Sequence, residues 1–207
     1  MSAAGRQPPL ALAGPGDTAR AEIAVPLAPA ALADFLADVE RLFRLNPLLT
    51  IESWRACAGG FHFVADNESN GRRIDAAVAV ERAADGSTLL LRYATGLKRA
   101  TQLAVTASGG GARLVVTEHY AAVADPADPR LAEVDRSLVP WVAALHRHLR
   151  ARRRWGWLPG WRWWHERFLA GLAPRQRRIV RLLVWISLLE FIAFLGLVLV
   201  WNLAAQR

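Results

Sequence analysis

Acid–base, metal or nucleophilic chemistry in this 207-residue chain would have to run through five histidines, eighteen carboxylates and one cysteine. The histidines do not gather. His146 and His148 are two apart on a helical stretch and point to different faces, and His62 and His119 fall in separate strand-like runs. None forms a zinc spacing. No nucleophile elbow accompanies the Ser, Asp and His residues. The lone Cys57 excludes an internal disulfide framework and has no metal knuckle around it. The Gly109–Gly111 run lacks the strand–helix context and the Gly-Lys-Ser/Thr ending of a phosphate loop. No metal and no cofactor is expected. The best cluster is Glu118-His119-Tyr120. On a strand Glu118 and Tyr120 share one face and His119 takes the other. Inside a cavity, Glu118 or His119 would serve as acid or base if burial moved its pKa toward neutrality. Arg92 and Tyr93 on an earlier strand are further candidates. The plainer expectation, preferred here, is that these are solvent-facing strand positions. Glu118 and His119 stand as the catalytic candidates, and catalysis is not the expected activity.

A different carboxylate, Glu190, is the only charge between Leu182 and Leu203, a run of 22 residues rich in Leu, Ile, Val and Phe. A helix of about 20 residues crosses a ~30 Å hydrocarbon core, so the run is expected to span a membrane. Trp185 and Trp201 sit near its ends, where indoles favour the interface. A carboxylate at that depth costs roughly 2.5–3.5 kcal/mol and calls for a partner. Ser187, Glu190 and Phe194 are the expected contact with another transmembrane subunit.

The charge is placed unevenly. Residues 1–146 sum to −2, whereas residues 147–181 hold 11 Arg against Glu166 alone. Arg175, Arg177, Arg178 and Arg181 precede the span and Arg207 follows it. The Lys/Arg-rich side stays cytoplasmic, which predicts a single-pass tail anchor in the inner (cytoplasmic) membrane with the N-terminal domain in the cytoplasm. Residues 1–17 read as a flexible leader without the apolar stretch of a signal peptide. Between domain and span, residues 155–173 carry Trp155, Trp157, Trp161, Trp164, Arg162 and Arg167. Trp161, Trp164, Phe168 and Leu172 fall at helical spacing, which predicts a helix lying flat on membrane lipids, indoles among the headgroups and guanidinium groups near phosphate. Interleaved basic and aromatic residues also suit nucleic acid. The adjacent span and the slightly acidic domain make nucleic acid an unexpected partner.

The remaining residues, 18–154, supply the elements that position these groups. Alternation predicts a strand over residues 18–27. Residues 28–47 then read as two short helices, with Pro29 at a first helical position, Asp38 as a cap and Pro47 as a stop. Six strands are expected over 49–58, 61–68, 72–83, 87–95, 100–107 and 113–122, separated by short turn signals such as Asn70-Gly71 and Gly96-Leu97-Lys98. Their spacing implies sequential hairpins and an antiparallel meander. From Arg130 toward Arg154, Leu131, Val134, Leu138, Val142, Leu145 and Leu149 recur at helical intervals, so one long helix with a buried stripe is expected, kinked at Pro140.

This order, and the opening AEIAVPLAPAALADFLADVERLFRLNP, resembles the START-like superfamily, also called SRPBCC or the polyketide cyclase/dehydrase and lipid-transport group. The resemblance spans roughly residues 18–150. Leu45-Asn46-Pro47 stands where many relatives carry an aromatic before the Asn. It implies an α+β helix-grip fold in which a curved antiparallel sheet of about seven strands wraps the last long helix over an apolar cavity. Relatives bind lipids, sterols, quinones or polyketides. Some are enzymes and many are carriers or accessory factors. The expected pocket lining is Ile74, Val78, Val80, Leu91, Tyr93, Leu138, Val142 and Leu145. The expected function is a membrane-anchored domain binding an apolar small molecule, a lipid, quinone or similar. The alternatives are an accessory subunit of a membrane complex and a cyclase- or hydratase-type enzyme.

Overall fold

The computed structural model describes residues 16–206 apart from 126 and 162. Most of the expected leader, the interface candidate Arg162 and the flanking Arg207 lie outside the described residues. The elements run β1 (Thr18–Val25), α1 (Pro29–Leu36), α2 (Val39–Arg44), β2 (Leu49–Cys57), β3 (Gly60–Asn67), β4 (Arg72–Arg82), β5 (Thr88–Tyr93), β6 (Lys98–Ser108), β7 (Gly111–Tyr120) and α3 (Leu138–Trp155). The strands form one curved antiparallel sheet in the order β1-β7-β6-β5-β4-β3-β2, a meander whose last strand returns to pair with the first. α3 is the long helix that the sheet grips.

Local chemistry accounts for the elements. β7 alternates, with Ala112, Leu114, Val116, Glu118 and Tyr120 buried and Arg113, Val115, Thr117 and His119 on the outer side. Pro29 opens α1 at N1, where its missing N–H costs nothing. The Asp38 side chain caps α2 by accepting from the Arg41 backbone N–H at 3.1 Å. The β2–β3 turn requires its glycines. Gly59 has φ +75°, and a Cβ on Gly60 would collide with the Val78 carbonyl oxygen.

The core lies between the sheet and the three helices. α1 contributes Leu32, Phe35 and Leu36, and α3 contributes Leu138, Trp141, Val142, Leu145 and Leu149. Phe43 of α2 meets Trp54, Phe61, Phe63 and Trp141 edge-on, with centroids 5.3–5.8 Å apart, the offset geometry that aromatic quadrupoles favour.

The long helix expected from Arg130 begins at Leu138 instead. The described residues between β7 and α3 form a strap with a short 3₁₀ turn, Pro129–Glu133, and Leu131 and Val134 belong to it. Pro140 explains the late start. It sits in the first turn of α3, where no earlier carbonyl needs its N–H, and a helix begun at Arg130 would have placed it mid-helix at a cost of about 3 kcal/mol. No kink at Pro140 is then required.

Residues 171–207 make a second compact unit. Its helix α5 (Pro174–Ala205) has 32 residues and is long and apolar enough to cross a membrane. Gln176 Oε1 accepts from the Ala173 N–H at 3.1 Å, and Arg177 Nε donates to the Leu172 carbonyl at 2.8 Å. Ser187, Glu190 and Phe194 are exposed on it.

Candidate functional site

A β-bulge decides the polar chemistry of the interior. In an unbroken ladder Arg99 would oppose Tyr120 and face inward. The register of β6 against β7 shifts between Lys98 and Ala100, so that Lys98 pairs with Tyr120, Ala100 with His119 and Thr101 with Glu118. The extra residue, Arg99, is exposed. Lys98 therefore enters on the same face as Thr101, Glu118 and Tyr120, the re-aiming that a bulge produces.

Lys98 Nζ forms ion pairs with Glu118 Oε1 and with Asp135 Oδ2, the latter at 2.8 Å. Tyr120 OH donates to Glu118 Oε2 at 2.6 Å. Asp135 Oδ1 accepts from Asn67 Nδ2 at 3.2 Å, Ser69 Oγ at 3.2 Å and the Ser137 N–H at 2.8 Å. Tyr93 OH lies 3.4 Å from Thr101 Oγ1, and the Lys98 ammonium sits 5.6 Å from the Tyr93 ring centroid. Glu118 has no exposed surface. A buried carboxylate needs this degree of pairing.

The cluster fixes its own protonation. Burial alone would lower the Lys98 pKa, but Tyr93 and the carboxylates of Glu118 and Asp135 outweigh it and hold the ammonium well above its ordinary value. Burial would raise Asp135, yet the Lys98 charge and the hydrogen bonds from Lys98 and Ser137 keep it well below the usual carboxylate range. Burial raises the phenols of Tyr93 and Tyr120. At neutral pH Lys98 is charged, Asp135 ionised and both tyrosines protonated.

Beside this cluster lies a cavity of about 290 Å³, near the lower end of small-molecule sites at roughly 300–1,000 Å³. Its apolar side is Phe43, Leu49, Phe63, Ile74, Ala76 and Trp141, and its polar side includes Asn46, Asn67, Thr95, Lys98, Glu133 and Asp135, with Tyr93 between. The strap closes one flank. Glu133 Oε2 accepts from the Leu97 N–H at 3.1 Å, and Asn70 Nδ2 donates to the Glu133 carbonyl at 3.1 Å. Asn46 ties the end of the strap to the α2–β2 loop, donating to Ser137 Oγ at 2.8 Å and accepting from the Leu48 N–H at 3.0 Å.

Of the expected pocket residues, Ile74 and Tyr93 line this cavity. Val78, Leu91, Leu138, Val142 and Leu145 are buried in the core, and Val80 packs against it. This placement has a packing reason. The α3 stripe and the aromatic group fill the middle of the sheet's concave side, so space remains at the end where the hairpins and the strap meet. The solvent-facing expectation fails for Glu118, which is wholly buried. His119 lies on the other side of the sheet from Glu118, where burial lowers its pKa. Arg92 pairs with Glu81 at 2.7 Å, and His62 pairs with Asp75 at 2.7 Å. No group of three or more His, Cys, Asp or Glu among the described residues is placed to hold a metal. Sequence reasoning missed Lys98, read as turn, and Asp135, read as helix.

The tryptophan-rich segment is not one regular α-helix. After α3 ends at Trp155 the chain turns through residues 156–160 and enters a π-helical turn, Trp163–Phe168, then a short α4 (Leu169–Gly171). Glu166 anchors it. Its carboxylate takes Arg41 Nη1 at 3.0 Å and Arg152 Nη1 at 2.9 Å, with His148 Nε2 at 3.9 Å. Trp161 is half-buried and stacks on His165 at 4.3 Å, and Trp164 stacks on Phe168 at 4.7 Å. Trp155, Trp157 and Arg167 are exposed. The wider π turn breaks the 3.6-residue spacing on which the flat-helix expectation rested.

Solved structures share this architecture. The Zhui aromatase/cyclase from a Streptomyces species matches with TM-score 0.54 at 14% identity, over 68% of this chain and 98% of that one. The domain has the helix-grip fold. Two further matches of TM-score 0.50 agree. One is a protein of Thermus thermophilus, at 20% identity over 65% of this chain and 98% of that one. The other is the di-domain ARO/CYC protein BexL, at 17% identity over 66% of this chain and 47% of that one. No family model and no curated protein matches the sequence.

Proposed function

We propose that the protein is a membrane-tethered binding module. Its START-like domain holds an apolar small molecule with a polar end, such as a lipid or quinone, at the cytoplasmic membrane surface. The carrying observation is the two-sided cavity, with an aromatic and aliphatic wall facing Lys98, Tyr93 and Asn67. Aromatic surface would take the apolar body, and a few fixed donors would orient the polar end. The apolar helix α5 supports the tether, and the arginines before it support a cytoplasmic domain.

The test is lipid extraction and mass spectrometry of the detergent-purified protein, beside titration with a fluorescent acyl-chain probe. Wild type is expected to carry a defined species and to bind the probe. Ile74→Trp, which fills the cavity from a half-buried position, should weaken binding at least tenfold while the melting temperature stays near wild type. No co-purifying species and equal probe binding by both proteins would overturn the reading. A second reading, an accessory subunit of a membrane complex, draws on Glu190, the one charge between Leu182 and Leu203, which lies exposed beside Ser187.

A further inference from the structure

The surface at the end of α3 pairs charge of one sign with exposed aromatic rings. Arg147, Arg150, Arg153, Arg154 and Arg167 are exposed. Glu166 is the one carboxylate between residues 137 and 189, and its side chain is only 8% exposed, turned inward against Arg41 and Arg152. The outward charge of this segment is therefore positive throughout. Trp157 is 74% exposed and Trp163 59%, far more than a folded domain leaves to large rings without use. The indole N–H of Trp157 is already spent on the Arg154 carbonyl at 3.0 Å, so its apolar edge is what faces outward. The Arg154 guanidinium lies 4.9 Å from the Trp155 ring centroid. Phe168 stacks on Trp163 at 5.9 Å.

We propose that this surface, Trp155, Trp157, Trp163 and Phe168 with Arg154 and Arg167, docks into the headgroup layer of an anionic bilayer. Indoles prefer that layer, and guanidinium groups beside them meet lipid phosphate. Phe168 is six residues before Pro174, a contour of at most about 21 Å, so a short connection tethers this surface to the helix proposed to insert. The inference rests on α5 being inserted, which is part of the proposed function, and the experiment reads the two separately.

Full-length protein carrying Cys57→Ser receives a single cysteine at position 157, 168 or, as a control on the β4–β5 turn, 85. Each is labelled with an environment-sensitive fluorophore. The proteins are reconstituted into vesicles of phosphatidylcholine alone or with about one-third phosphatidylglycerol. Flotation after an alkaline wash reports insertion of α5. The expected result is a blue-shifted label at 157 and 168, quenched by spin-labelled lipid several-fold more than at 85, and more strongly in the anionic vesicles. Arg154→Gln/Arg167→Gln, or high salt, should remove most of that anionic gain. A protein that floats while its labels at 157 and 168 stay as aqueous as at 85 overturns the inference and leaves the tether standing. Protection that appears only in detergent with a doubled particle mass, or only on adding an oligonucleotide, assigns the surface to a second copy or to nucleic acid and overturns it equally.

Discussion

Lys98 Nζ lies 2.8 Å from Asp135 Oδ2, and this contact ties the strap between β7 and α3 to the bulged start of β6. Through it the cavity wall and the cavity's closing flank share one charge.

Removing that charge should be costly. In Lys98→Met, the carboxylates of Glu118 and Asp135 would lose the ammonium that pairs with both. Breaking a buried pair costs about 3–5 kcal/mol, and the lower end applies because the Lys98 side chain keeps 17% of its surface exposed. Urea unfolding should show the loss. Lys98→Met/Glu118→Gln should recover part of it, because coupled neighbours are non-additive.

The same cluster predicts a broad stability plateau. The Asp135 pKa is lowered on folding, so its contribution is present above the unfolded value of about 3.9 and fades as pH falls toward the folded one. The Lys98 pKa is raised, so its contribution is present below about 10.4 and fades as pH rises toward the folded value. The cluster's contribution should be constant between these limits, and Asp135→Asn should flatten the acid limb of the melting temperature. An acid limb as steep in the variant as in wild type would remove Asp135 from the account.

Glu166→Gln should loosen the segment after α3 without unfolding the sheet. It weakens two charge-assisted bonds, to Arg41 and Arg152, of a type that contributes about 1.5–3 kcal/mol each. Hydrogen exchange should speed up over residues 157–170, while the amides of β6 and β7 keep wild-type protection.

In α5, Glu190→Leu should keep membrane insertion yet weaken association with a partner helix, and Glu190→Gln should be milder. Interhelical polar contacts average about 0.6 kcal/mol and reach about 1–2, enough to select a face. Cross-linking from positions 187 and 194 should exceed that from 192. Equal yields from all three would reduce α5 to a plain anchor.

Much of the fold was legible because its signals are local. Pro29 and Asp38 mark the starts of α1 and α2, alternation along β7 puts Glu118 and Tyr120 on one face, and the hairpin turns carry their glycines. The site was less legible because its signals are not local. Lys98 faces inward only through a bulge, which alternation cannot reveal and which left Lys98 looking like part of a turn. Asp135 sat inside an apolar periodicity that continues unbroken from the strap into α3, so the late helix start was hidden until Pro140 was given its weight. The pocket was placed along the buried stripe because core and cavity wall use the same residue types. Only packing shows that the aromatic group around Phe43 fills one and leaves the other open.

The strap also has a consequence for the order of assembly. Lys98 and Glu118 belong to strands joined by one hairpin and meet early in any meander that zips along the chain, whereas Asp135 arrives after a further irregular stretch and completes the cluster late. Late contacts govern how fast a native state is lost rather than how fast it is reached. Asp135→Asn should therefore accelerate unfolding and leave the refolding rate nearly unchanged, whereas Glu118→Gln should slow refolding. The strap would then be the kinetic clasp of the domain, setting its lifetime in the closed state.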